Sequence, residues 1–181
     1  MQLRFSTCLG IPVMEEQTNE PIGVLSGIVL HPDTGKVEGF FVRTGGLFSS
    51  FSLFLPSSDI ARFGVRVSIR SRDSLAPPGE FLRIQPLLAD RRTVLGQRIE
   101  TKAGRTVGRC VDVQFDSVVM QLTWLFPRRF LRWGDPIPAT DILRVTPQAI
   151  IVRGPRAEDI VEEISTEEQQ QLLSVLPEVE G

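Results

Sequence analysis

The chain has 181 residues and a mass of 20.2 kDa, 41% of it hydrophobic, with a formal net charge of -2. That supports one or two modest cores and no large enzyme fold. No window approaches the roughly 18 apolar residues of a membrane span, and Met1 to Met14 lacks both a basic leader with a long apolar stretch and a small-residue cleavage site, so a cytoplasmic protein is expected. The charge is uneven: residues 156–181 hold eight acids and one Arg, leaving 19 basic and 14 acidic residues in 1–155, or +5 against -7. A solvated acidic helix face explains this, and so does a segment that screens or docks on a positive body.

In chain order, Gly23 to Leu30 and Lys36 to Arg43 are β-rich runs separated by His31-Pro32-Asp33-Thr34-Gly35, a composition that specifies a hairpin connection. Ser50 to Leu55 forms a third strand ending at Pro56, Ser57-Ser58-Asp59 starts a single helical turn, and Val65 to Arg70 alternates with period two. Strands this short suit a small closed barrel, which removes exposed edges. Ala76-Pro77-Pro78-Gly79 reads as neither helix nor central strand and marks a boundary. Phe81-Leu82-Arg83-Ile84 reads as an extra strand or a tether against one barrel.

The order then repeats. Leu55-Pro56-Ser57-Ser58-Asp59-Ile60 returns 82 residues later as Ile137-Pro138-Ala139-Thr140-Asp141-Ile142, preceded in both copies by Leu-Gly (Leu9-Gly10, Leu95-Gly96) and a β-branched residue plus Gly (Ile22-Gly23, Val107-Gly108). Strands are expected over 94–100, 106–115, 118–126, 130–137 and 149–152, with a central hairpin three residues shorter than that of the first copy. After Pro155, helical spacing over 157–164 and a capping box at Ser165-Thr166-Glu167-Glu168 predict two short helices ending before Pro177. The expectation is an all-β protein: a first barrel over 1–72, a linker over 73–92, a second barrel over 93–154 and an acidic helical segment over 155–181.

These motifs, with the Asp33-Thr34-Gly35-Lys36-Val37-x-Gly39 hairpin and the Gly45-Gly46 loop, resemble the PRC-barrel superfamily over about residues 5–70 and 93–153. In the second copy the Gly-Gly loop is read as replaced by Pro127-Arg128. The superfamily includes the cytoplasmic domain of the photosynthetic reaction-centre H subunit and the C-terminal domain of a ribosome-maturation factor. The resemblance implies two tandem small barrels and an adaptor role.

The residues offer little chemistry. The one histidine, His31, sits in an expected turn, Cys8 and Cys110 fall at non-equivalent places that exclude a repeated disulfide or metal frame, and no phosphate loop occurs. No catalytic residue, metal or cofactor is expected, and both cysteines read as reduced core residues. Two stretches stand out, residues 47–54, where apolar residues are too dense for one inward face, and residues 124–133, where aromatics are interleaved with three Arg. The first supplies Phe48, Phe51 and Phe54; the second supplies Arg128, Arg129, Phe130, Arg132 and Trp133. Aromatic and Arg side chains together dominate protein hot spots and also occur on RNA-binding surfaces. The expected function is a non-enzymatic protein-interaction adaptor that self-associates as a homodimer. The alternatives are an RNA- or ribosome-associated factor in RNA processing and a peripheral component of a membrane-bound complex.

Overall fold

The structure, a computed structural model, describes residues 1–46 and 49–154; the two helices expected after Pro155 lie outside them. The chain opens with β1 (Gln2–Arg4) and a one-turn helix, α1 (Phe5–Cys8). It continues through β2 (Pro12–Glu15), β3 (Pro21–Leu30), β4 (Val37–Gly46), β5 (Ser49–Pro56), a 3-10 turn at Ser57–Asp59, β6 (Ile60–Phe63) and β7 (Val67–Ile69). The short helix α2 (Gln85–Ala89) precedes β8 (Arg98–Thr101), β9 (Thr106–Asp116), β10 (Gln121–Arg129), β11 (Arg132–Trp133), β12 (Ile137–Pro138), β13 (Ile142–Val145) and β14 (Ala149–Val152). A 3-10 turn at Ala139–Asp141 repeats the one at Ser57–Asp59. The protein is all-β with small helical additions.

Two sheets carry the same plan. The first runs β5-β4-β3-β2-β7-β6 and the second β11-β10-β9-β8-β14-β13. In each, one parallel pairing (β2 with β7, β8 with β14) sits among antiparallel neighbours. Even the bulges coincide: the register shifts between Leu25–Val42 and Gly27–Phe41 in one sheet and between Cys110–Pro127 and Asp112–Phe126 in the other, each pair 85 residues from its counterpart. Left-handed glycines recur at the same step, Gly10 at φ 81° and Gly96 at φ 77°, each donating its N–H to the first long strand, at Leu25 and at Cys110.

The two sheets meet on a pseudo-two-fold axis. Lys36 and Gln121 form an antiparallel bridge, the Val37 N–H donates to the Met120 carbonyl at 2.8 Å, and the Leu122 N–H donates to the Gly35 carbonyl at 2.9 Å. Each of these residues is 85 positions from its counterpart. Equivalent backbone groups that exchange bonds in this way define a dyad. Gly35 (φ 68°) and Met120 (φ 52°) take the same left-handed conformation, which glycine accepts freely and methionine does not. Phe40, Phe63 and Phe115 pack with ring centroids 5.4 to 5.8 Å apart across this seam, and one continuous apolar cluster runs through both sheets.

The N-terminal segments are exchanged across the axis. β1 pairs with β9 in the second sheet, while the segment before β8 lies over the first, where Phe81 and Ile84 pack on Phe54, Phe41 and Val29. The 81–84 stretch is therefore a tether made of turns, not an added strand. Pro78–Glu80 forms a 3-10 turn with its proline at the first position, where the missing N–H costs nothing. The expected closure does not occur among the described residues: the hydrogen-bonded path ends at β5 and β6, because the chain turns between them through Pro56 and a 3-10 turn instead of pairing.

Register also corrects the alignment of the copies. The central turns are equal in length, since Leu30 opposes Val37 and Phe115 opposes Leu122. The three-residue difference falls after β10: Gly39 opposes Pro56 in one sheet, and Trp124 opposes Pro138 in the other. Pro127-Arg128 thus matches Val42-Arg43, and the residue standing where the first copy has Gly45 is Phe130.

Candidate docking surface

β10 and β11 form a hairpin in which Arg129 opposes Arg132, joined by Phe130 and Leu131 alone. A two-residue connection with positive φ at its first residue favours glycine there. Phe130 fills it at φ 55°; the residue 85 positions earlier, Gly45, also has positive φ, 104°, but lies within β4 opposite Ser50. A bulky side chain held left-handed is strained. The strain presents Phe130 at 90% exposure beside Leu131 at 84%. Arg129 and Arg132 flank this tip and are exposed.

Behind the tip, the outer face of the second sheet is built by residues from three parts of the chain. The Arg4 guanidinium, carried in on β1, lies 4.0 Å from the Phe126 ring centroid and 5.6 Å from that of Trp133; the Arg128 guanidinium lies 5.7 Å from Trp133. Stacked guanidinium groups hold the half-exposed indole, 58% open to solvent, against the sheet. Arg4 is fixed in turn by Asp112, whose buried carboxylate accepts from Arg4 Nε at 2.9 Å, from the N–H of Ser6 at 3.0 Å and of Val113 at 2.9 Å, and from the Ser6 hydroxyl. The equivalent residue in the first sheet is Gly27, where a Cβ would strike the Phe41 ring at 2.8 Å.

On this face three arginines stand rung to rung. Arg98 on β8 opposes Arg109 on β9, Arg109 opposes Arg128 on β10, and Arg128 opposes Trp133 on β11. The corresponding rungs of the first sheet read Pro12, Val24, Arg43 and Ser52.

The expected candidates separate accordingly. Arg128, Arg129, Phe130, Arg132 and Trp133 are brought together on one hairpin. Phe51 is 64% exposed on β5, far along the chain in the other sheet. Phe48 lies outside the described residues. Phe54 is corrected: it is 0% exposed, because Phe41 and Phe81 pack edge-on against it and Ala76 pairs with its backbone, so it anchors the tether instead of facing a partner.

Arg4, Arg98, Arg109, Asp112 and Leu131 had no local signal. Only the register and the exchanged β1 bring the first four to this face, and Leu131 stands out only once the turn is known.

Other chemistry-bearing groups are used up structurally. His31 Nδ1 accepts from the backbone N–H groups of Asp33 (3.2 Å) and Thr34 (3.4 Å), capping its own turn. Burial pushes the Cys8 thiol up to about 11 and the Cys110 thiol up to about 12, so neither is a nucleophile at neutral pH. A cleft of about 350 Å³ opens at the seam, and its one carboxylate, Asp33, is held by Arg92. Among the described residues no helix is long and apolar enough to cross a membrane.

Residues 1–75 match the PRC-barrel domain. The PRC-barrel match covers one sheet plus β1, and no curated protein matches the chain.

Proposed function

We propose that the chain is a non-enzymatic, cytoplasmic adaptor in which residues 93–154 are a second, divergent PRC-barrel copy that docks a protein partner through the β10–β11 tip. The observation that carries this reading is Phe130. At the position where the first copy has glycine, the second accepts a strained backbone and gains an exposed Phe-Leu pair. Backbone strain of this kind, about 1–3 kcal/mol, persists where it serves a site. Phe130 and Leu131 supply the apolar anchor, Arg129 and Arg132 the polar rim that selects an acidic surround.

The reading includes self-association. β5 is an eight-residue strand without a charged residue at one end of its sheet, whereas β11 is two residues long, carries Arg132 and is followed by Pro136. Charges, proline and short length blunt an edge, and β5 has none of these within its run before Pro56; Ala76 covers it at Phe54, which leaves the Ser49–Ser52 end as the part that pairs with a second copy. Light scattering at high micromolar concentration is expected to give a mass above 20.2 kDa; a monomer mass there removes this part of the reading.

The docking claim is tested by affinity capture from native lysate with wild type beside Phe130→Gly/Leu131→Ser. A partner retained by wild type and lost by the variant supports it; equal capture by both rejects the tip. Mobility shifts with total RNA across a salt series address the rival, since phosphate binding weakens steeply with salt. A salt-sensitive shift that needs Phe130 and Leu131 favours RNA over protein.

A further inference from the structure

Like charges directly opposite each other destabilise a sheet, yet the second sheet places Arg98, Arg109 and Arg128 on consecutive rungs. Folding does not demand it. The first sheet has the same strand order with Pro12 and Val24 on the first two rungs, and only Arg43 in common. The charge is neutralised only in part, at Arg98. Arg98 reaches Glu100 at 3.3 Å, Arg109 donates to the Gly96 carbonyl at 3.0 Å, and Arg128 Nε is buried without a hydrogen-bond partner among the described residues. Two guanidinium groups already lie near Trp133, which leaves the indole poorly placed to stack on a nucleotide base and points to carboxylates as the counter-charge.

We propose that the ladder of Arg98, Arg109 and Arg128 is the docking site of the chain's own acidic segment, residues 156–181. That segment carries eight acids against one Arg. It also leaves from the right place. β14 runs parallel to β8, with Ala149 beside Arg98 and Val152 beside Thr101, so the segment departs about 10 Å along the strand from the first rung. The remaining rungs follow at steps of about 4.8 Å, well within the reach of 26 residues. The attraction concerns exposed groups and is screened by salt. The ladder and the tip are separate residues, and the docking of the segment does not depend on what the tip binds.

The test uses the full chain with Ser174→Cys carrying a nitroxide; Cys8 and Cys110 are buried and their raised thiols stay unlabelled at pH 7. Amide signals of Arg98, Arg109 and Arg128 are expected to broaden at about 20 mM salt and to recover at about 1 M, where the Debye length is near 3 Å. Arg109→Val, which installs the residue the first sheet holds on that rung, is expected to restore them at low salt. So is neutralisation on the other side, by Glu162→Gln, Glu163→Gln, Glu167→Gln and Glu168→Gln together. Phe130→Gly is expected to leave the broadening intact. Signals unbroadened at low salt overturn the proposal, and so does broadening that survives both sets of substitutions.

Discussion

Phe130 and Trp133 are neighbours on one hairpin with opposite consequences for stability. Phe130→Gly removes an exposed ring and relieves a left-handed backbone that glycine adopts freely, so unfolding should cost about 0.5–1 kcal/mol more than in wild type. Trp133→Ala removes a half-exposed ring held by cation–π contacts and should lower stability by about 1 kcal/mol or less. Phe54→Ala, by contrast, opens a cavity beneath Phe81 and should cost about 3–5 kcal/mol. Denaturant melts of the three variants check this order. A Trp133→Ala loss as large as that of Phe54→Ala would make the indole a core residue and remove it from the docking face.

At the scale of elements, β1 and α1 are held on the second sheet by two carboxylates. Asp112 binds Arg4 and Ser6, while Asp116 accepts from the N–H groups of Val118 and Val119 and pairs with the amino group of Met1. The two backbone N–H bonds, with the terminal amine behind them, hold the Asp116 carboxyl below its ordinary range. Glu15 is lowered in the same direction, first by the backbone N–H of Arg72. A carboxylate whose folded pKa is depressed contributes stability above its unfolded value, near 4, and loses it as the pH falls through the folded value. Stability should therefore be level from neutral pH to about 5 and then fall, and Asp116→Asn should flatten part of that decline. Amide exchange at Gln2–Arg4 should speed up in Asp112→Ala, which leaves Arg4 without its buried partner. Protection unchanged in that variant would mean that the strand pairing with β9 alone secures β1.

For the whole molecule, the repeat is legible because three short motifs recur in the same order at offsets of 82 to 86 residues, and strand positions follow from Gly, Pro and Asp at the turns. What the sequence concealed depends on register. The Pro127-Arg128 pair lines up with Gly45-Gly46 by eye, but the shared bulges and the dyad at Lys36–Gln121 place Phe130 there instead. Phe54 looked like its neighbour Phe51 because alternation alone does not say which face a later tether will cover. The arginine ladder joins residues up to 30 positions apart and had no local signature. The second sheet departs from the first at Arg98, Arg109 and Phe130, where the first has Pro12, Val24 and Gly45, and these departures carry the proposed binding roles. The most direct measurement is the thermal melt of the double variant Arg109→Val/Phe130→Gly at moderate salt, which returns one rung and the turn of the second copy to the residues of the first. The account predicts a midpoint above that of wild type, with the far-ultraviolet spectrum unchanged; a midpoint several degrees lower would show that these residues serve the fold and would contradict it.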